Sequence, residues 1–264
     1  MDFQLKDKTA LVTGSTAGIG YAIAKTLAQE GVHVYLNGRT IERVNEAVKK
    51  LENETGSANI KGVAADFSKT EEVENLIAAI PAVDILVNNV GIFEPKPFDE
   101  IADEDWLQFF EVNVMSGIRL SRAYLKKMLD KNWGRIIFIS SESAINIPEE
   151  MIHYGMTKTA QLSISRGLAE LTKHTNVTVN SVLPGPTLSE GVGGFIEGLA
   201  TKQNKSIEQV EDDFFKEMRP SSILQRFISP QEIANMVCYI ASPLAAGTNG
   251  SAIRVDGGVV KSII

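Results

Sequence analysis

Tyr154 and Lys158 stand four residues apart, and Ser141 precedes the tyrosine by thirteen. On a helix, a spacing of four puts both side chains on one face, one turn from each other. A free phenol titrates at about 10, and a neighbouring ammonium lowers that value. Such a phenol can give a proton to a carbonyl oxygen, or take one from an alcohol, near neutral pH. Ser141 follows the run Arg135 to Ser140, whose middle is all apolar and reads as a central strand. A hydroxyl at the carboxyl end of such a strand can hold a substrate oxygen. A tyrosine and a lysine at this spacing also arise by chance on solvated helix faces, so the surrounding elements have to decide.

Those elements begin with a glycine turn. Thr9 to Val12 reads as a buried strand, and Ile19, Ala22, Ile23 and Leu27 follow at helical spacing. Between them lies Thr13-Gly14-Ser15-Thr16-Ala17-Gly18-Ile19-Gly20, with its glycines where strand becomes helix. Glycine lets a ligand approach the main chain. The helix start then offers unpaired N–H groups and a positive dipole end to an anion, for which a dinucleotide pyrophosphate is the natural candidate. Further strands are expected at Val32–Leu36, Ile60–Ala65, Val83–Val87, Val177–Leu183 and Ala252–Val255. Helical patterns separate them, at about 41–51, from about Asp103 to Leu129 and from about Met151 to Lys173. Ser68-Lys69-Thr70-Glu71 and Ser229-Pro230-Gln231-Glu232 read as capping boxes. This alternation predicts an α/β protein: a single doubly wound parallel sheet with helices on both faces, one domain over 1–264. Residues 188–228 hold no strand pattern. Their two apolar stripes, Phe195, Ile196, Leu199 and Val210, Phe214, Met218, predict two short helices acting as a substrate lid.

Composition narrows the classes. The 264 residues carry a net charge of −7 with no basic block, which disfavours nucleic acid as a partner. One cysteine, Cys238, allows neither an intramolecular disulfide nor a cysteine cluster, and the three histidines are scattered, so no metal site is expected. The N-terminus lacks an apolar signal segment and no run is long enough to span a membrane, so the expected location is cytoplasmic.

Taken in chain order, the glycine turn, Asp66, Asn88-Asn89-Val90-Gly91, Asn113, Ser141, Tyr154/Lys158, Pro184-Gly185 and Val255-Asp256-Gly257-Gly258 resemble the short-chain dehydrogenases/reductases over nearly the whole chain. The resemblance implies a Rossmann-type fold and a nicotinamide-dependent oxidoreductase acting on alcohols and carbonyls. It implies Tyr154 as general acid/base, Lys158 on the nicotinamide ribose, and Ser141 orienting the carbonyl. The main-chain carbonyl of Asn113 would hold a relay water. It also implies a cofactor-binding set of Gly14, Ser15, Thr16, Gly18, Ile19, Gly20, Arg39, Asp66, Phe67, Asn89, Gly91, Tyr154, Lys158, Pro184, Gly185 and Thr187, the last meeting the carboxamide. Val90 departs from the family, which usually has alanine there; a small shift without loss of binding is expected.

Asn37-Gly38-Arg39-Thr40 follows the second strand without the acidic residue that grips both ribose hydroxyls in NAD sites. Arg39 instead suits a 2′-phosphate, although Ala17 stands where many NADP-preferring members carry a second basic residue. NADP(H) is the expected cofactor, with NAD(H) the alternative. Ile145-Asn146-Ile147-Pro148, Met151, Phe195, Ile196 and Phe214 are the expected pocket walls. They suggest an apolar or amphipathic carbonyl or alcohol substrate, and Glu142, Glu149, Glu150 and Glu190 nearby disfavour an anionic one. The apolar breadth of the helix carrying Phe109, Phe110, Val114, Leu120, Tyr124 and Met128, together with the resemblance, points to a homodimer or homotetramer. A non-catalytic nucleotide sensor is the rival from another class, but such a protein has no need to keep Ser141, Tyr154 and Lys158 together. An epimerase or lyase on the same scaffold is the other.

Overall fold

The computed structural model describes residues 2–263. Among these, one sheet of seven parallel strands runs in the order β3-β2-β1-β4-β5-β6-β7. The strands are β1 (Thr9–Val12), β2 (His33–Gly38), β3 (Ile60–Ala64), β4 (Ile85–Asn88), β5 (Gly134–Ile139), β6 (Val177–Pro184) and β7 (Ala252–Val255). The order reverses between β1 and β4, and the two halves wind outward from that point. Such a reversal opens a crevice at the carboxyl ends of the strands. β5 and β6 are buried along their whole length, as strands covered on both faces must be.

Helices α1 (Gly18–Gln29), α2 (Ile41–Thr55) and α9 (Pro230–Ala241) cover one face, with Ile23, Leu27, Leu51, Ile233 and Val237 packed on Val12, Leu36 and Val87. On the other face α3 (Thr70–Ala79), α5 (Ser116–Asp130) and α6 (Ile152–Glu170) bury Leu76, Leu120, Tyr124 and Ala169 against Leu11, Leu86 and Phe138.

Three local details differ from expectation. The box at Ser229 forms, with Glu232 bonded back to Ser229, but the one at Ser68 does not. There α3 is entered through Lys69, which makes no side-chain cap, and Glu72 reaches back to the Asp66 amide instead, at 2.7 Å. The long helix from Asp103 is interrupted: α4 (Asp103–Phe110) passes through a π-turn at Glu111–Met115 into α5. Segment 188–228 holds α7 (Glu190–Gln203), α8 (Ile207–Asp213) and a π-turn at Phe214–Met218, with a small core of its own around Ile196, Val210, Phe215 and Phe227.

Candidate active site

The glycine turn is held open by its neighbours. Gly14 and Gly18 have φ of +59° and +57°, a conformation that favours glycine. Gly20 is required for a different reason: a Cβ there would lie 2.4 Å from the Gly14 carbonyl. The Asn37 side chain accepts from the Gly14 amide at 3.0 Å, and the Asn89 amide donates to the carbonyls of Thr13 (2.8 Å) and Gly14 (3.0 Å). The Thr13 hydroxyl in turn accepts the amides of Asn89 and Val90. So the two loops that follow β1 and β4 are tied together at the switch point. α1 begins after Ala17 with no side-chain cap and no acidic residue in its first turn, leaving the helix-start amides available to an anion.

A cleft runs from this turn over the end of β2. Gly14, Thr16, Arg39, Asp66, Phe67 and Gly91 line it, as expected, and so does Arg43, which sequence reasoning passed over. Arg43 sits in the first turn of α2, four residues beyond Arg39, which precedes the helix; a second arginine so close behind the strand end was the signal that could have found it. The Asp66 carboxylate accepts from the Ser68 amide (3.0 Å) and hydroxyl (2.8 Å), which together with the nearby Lys69 and Arg39 charges hold it below the usual carboxylate range. Ser15 lines neither cavity. Its hydroxyl is buried, donating to the Val12 carbonyl at 2.7 Å and accepting the Asn37 amide at 2.9 Å, so its side chain braces the turn and faces no ligand. Val90 also lines the cleft, with its Cγ2 3.1 Å from where a Gly14 Cβ would stand.

The second cavity opens on the other side of Asn89, Gly91 and Ile92, which line both. Its floor brings together Ser141, Tyr154 and Lys158, with Ile19, Pro184, Gly185 and Thr187 around them. α6 is pinned beside the end of β5. The Ser140 hydroxyl donates to the Lys158 carbonyl at 2.9 Å, and the Lys158 ammonium donates to the Ile139 carbonyl at 3.0 Å. That ammonium lies 5.6 Å from the centre of the Tyr154 ring. Burial dominates both groups: it pushes the phenol up to about 12, partly offset by its hydrogen bond with Ser141, and pulls Lys158 down to about 8. The expected lowering of the phenol by the ammonium is not found: only Ser141 and the Arg219 charge lower it, and desolvation outweighs both.

Asn113 lies at the middle of the π-turn. Its side chain accepts from the Ile92 amide (2.8 Å) and donates to the Ile92 carbonyl (3.0 Å) and the Thr157 hydroxyl (3.0 Å). It thereby clamps the β4 loop to α6. Its main-chain carbonyl accepts from the side-chain amide of Gln161 at 2.6 Å, a buried partner not anticipated from sequence. Thr187 donates to the Gly185 carbonyl at 2.8 Å and pairs with Ile228, tying the start of the 188–228 segment to its end.

The pocket walls need revision. Ile145 and Ile147 are exposed and line nothing, because the turn after β5 points them outward. Ile196 is spent on the segment's own core, and the Phe195 side chain lies outside the described residues. Met151 and Phe214 do line the cavity, joined by Phe93, Met218 and Phe227. Glu142 is not solvated. It is 3% exposed and paired with Arg219, a residue the sequence reading did not single out.

This geometry has known counterparts. Residues 8–197 match the family model described as short chain dehydrogenase. The chain belongs to the short-chain dehydrogenase/reductase family. Among its relatives, the uncharacterized oxidoreductase YvaG of Bacillus subtilis (strain 168) is 52% identical, with all of both chains aligned. The 3-oxoacyl-[acyl-carrier-protein] reductase FabG of Aquifex aeolicus is 34% identical over 98% of this chain and 100% of its own. In structure, the L-sorbose reductase of Gluconobacter frateurii, solved with NADPH and L-sorbose, superposes with a TM-score of 0.94 at 32% identity over the whole of both chains. Family membership makes the protein an oxidoreductase with a Rossmann-type sheet. Among the described residues, no group of side chains could hold a metal, and no helix is long and apolar enough to cross a membrane.

Proposed function

We propose that the protein is an NADP(H)-dependent carbonyl reductase, working reversibly on the matching alcohol. The observation that carries this reading is the convergence of Ser141, Tyr154 and Lys158 in a cavity that shares Asn89, Gly91 and Ile92 with the dinucleotide cleft. The clefts fit the cofactor: an uncapped helix start for the pyrophosphate, Asp66 and Phe67 beside the base, and Lys158 within reach of a ribose at the shared wall. When bound, the reduced nicotinamide supplies the hydride. The Ser141 hydroxyl donates to the substrate carbonyl oxygen and fixes its position. Tyr154, with its phenol held protonated at neutral pH, hands its proton to that oxygen as charge develops on it. The Lys158 ammonium then compensates the phenolate left behind.

Preference for the phosphorylated cofactor is supported by Arg39 and Arg43, which both line the cleft beyond β2, where no acidic residue other than Asp66 is present. Arg43 supplies the second cation that Ala17 does not. NADPH bound to the L-sorbose reductase neighbour agrees with this reading. The 188–228 segment is the substrate lid, seated on the cavity through Val192, Phe214 and Met218. A homo-oligomeric assembly is supported by apolar side chains left exposed on α4, Leu107 at 70% and Phe110 at 39%. Turnover with NADPH and NADH at equal concentration tests the cofactor assignment. A clear preference for NADPH is expected, and a clear preference for NADH overturns it.

A further inference from the structure

Arg219 sits just after the π-turn of the lid, 8% exposed, and lines the catalytic cavity. Its Nε donates to Glu142 Oε1 at 3.0 Å. Its Nη1 donates to Glu150 Oε1 at 3.2 Å and to the Met218 carbonyl at 2.8 Å. Its Nη2 makes no hydrogen bond among the described residues. Glu142, which also lines the cavity, directly follows Ser141, and its Oε2 is buried without a partner. A buried carboxylate oxygen left unpaired is costly, whereas the unbonded Nη2 is not sealed off and stays open to a ligand in the cavity.

We propose that Arg219, Glu142 and Glu150 form a recognition site for hydroxyl groups, and that the substrate is a neutral polyhydroxy carbonyl compound. This rests on the carbonyl-reductase reading and names its substrate class. A hydroxyl is the group that both donates and accepts. It can give its hydrogen to a carboxylate oxygen of the cluster and take one from Arg219 Nη2. A substrate carboxylate would satisfy Nη2 but would face two glutamates across a single arginine. An alkyl chain would satisfy neither atom. Burial raises the Glu142 carboxyl above its usual range while Arg219 pulls it back down, so the cluster is neutral or negative overall, and an anionic ligand gains nothing there. Because Glu142 is adjacent to Ser141, the hydroxyls read by the cluster are those close to the reacting carbonyl. The carbon backbone of such a substrate has apolar contacts waiting in Phe93, Met151 and Phe214.

The test is NADPH oxidation by the full-length enzyme with erythrulose, butanone and α-ketobutyrate, a set matched in chain length. The wild type is expected to favour erythrulose in kcat/KM by about tenfold or more over either competitor, because a site built for hydroxyls rejects analogues lacking them. Arg219→Lys keeps the charge but removes Nη2, and should bring that ratio to within about threefold of one. Glu150→Gln, at the more open end of the cluster, should lower the ratio by about two- to fivefold; it decides the matter should the lysine variant fail to fold. A wild-type preference for butanone or α-ketobutyrate overturns the substrate class while leaving the reductase standing. So does an unchanged ratio in folded Arg219→Lys, since that arginine would then only anchor the lid. If the wild type binds NADPH and oxidises it with none of the three, the reductase reading falls as well.

Discussion

The two cavities at the carboxyl edge of the sheet are built in opposite ways. The dinucleotide cleft is centred on main chain: a strand, a glycine turn and a helix start within twenty residues, braced by Asn37 of β2 and by Asn89 after β4. The catalytic cavity is assembled from distant parts. Glu142 and Arg219 are 77 residues apart, and Lys96 of the β4 loop donates its amide to the Glu150 carbonyl across 54. A main-chain turn at its centre gives the cleft a shape that depends on backbone geometry. The cavity depends instead on charged and aromatic side chains that a lid must bring in, and on that side there is freedom to change substrate without disturbing the cofactor.

That contrast predicts where damage should register. Tyr154→Phe removes the proton donor and little else, so turnover should fall by about a thousandfold, with NADPH affinity unchanged when measured by titration of cofactor fluorescence. Loss of both together would mean that the two cavities are not separable. Ser141→Ala should lower kcat by about a hundredfold, again with cofactor affinity kept, as steady-state kinetics at saturating NADPH will show.

Lys158 probes the same boundary through stability. Its ammonium is charged below about 8 in the fold and below 10.5 when unfolded. The desolvation penalty is therefore fully present below about pH 8, shrinks as pH rises, and is gone above 10.5. Lys158→Met should remove that penalty of about 3 kcal/mol at the cost of about 1 kcal/mol for the bond to Ile139. Thermal melts should show a net gain of roughly 2 kcal/mol at pH 7 that turns into a net loss of about 1 kcal/mol above pH 10.5, alongside lost activity. A gain independent of pH would place its origin in packing. Tyr154 acts in the opposite sense: its raised value of about 12 makes the fold lose stability above pH 10.

On the cleft side, Arg39→Leu and Arg43→Leu should each reduce the preference for NADPH over NADH by about tenfold, the worth of one charge-assisted hydrogen bond to the 2′-phosphate. Both arginines are exposed, so the melting temperature should barely move. Val90→Ala should change the KM for NADPH by less than about threefold, since it deletes only methyl groups packed over Gly14.

The same division explains what could be read in the sequence. The glycine turn, the strand ends at Asn88 and Ser140, the Tyr154–Lys158 pair and the cap at Ser229 are local signals, and each stands where its spacing put it. The inward side chain of Ser15 was not legible because spacing cannot say which way a turn residue points; Val12 and Asn37 take its hydroxyl inward. The box at Ser68 failed because Asp66 takes both the Ser68 amide and its hydroxyl. The π-turn at Asn113 went unread although one extra residue shifts the downstream helical face by about 100°, because apolar residues spread over more than one stripe there and mask the shift. Arg219 looked like any lid cation, and Glu142 like any loop carboxylate. Their pairing is set by how the lid docks, which no local pattern encodes.

The central claim is that a hydride passes between nicotinamide and a carbonyl carbon beside Tyr154. Reduction with NADPH deuterated at the transferable position, using a carbonyl compound the enzyme turns over, tests it most directly. One deuterium fixed on the carbinol carbon for each NADP⁺ formed is the predicted result. Product formed with no net cofactor oxidation, or with the label exchanged into water, would contradict it.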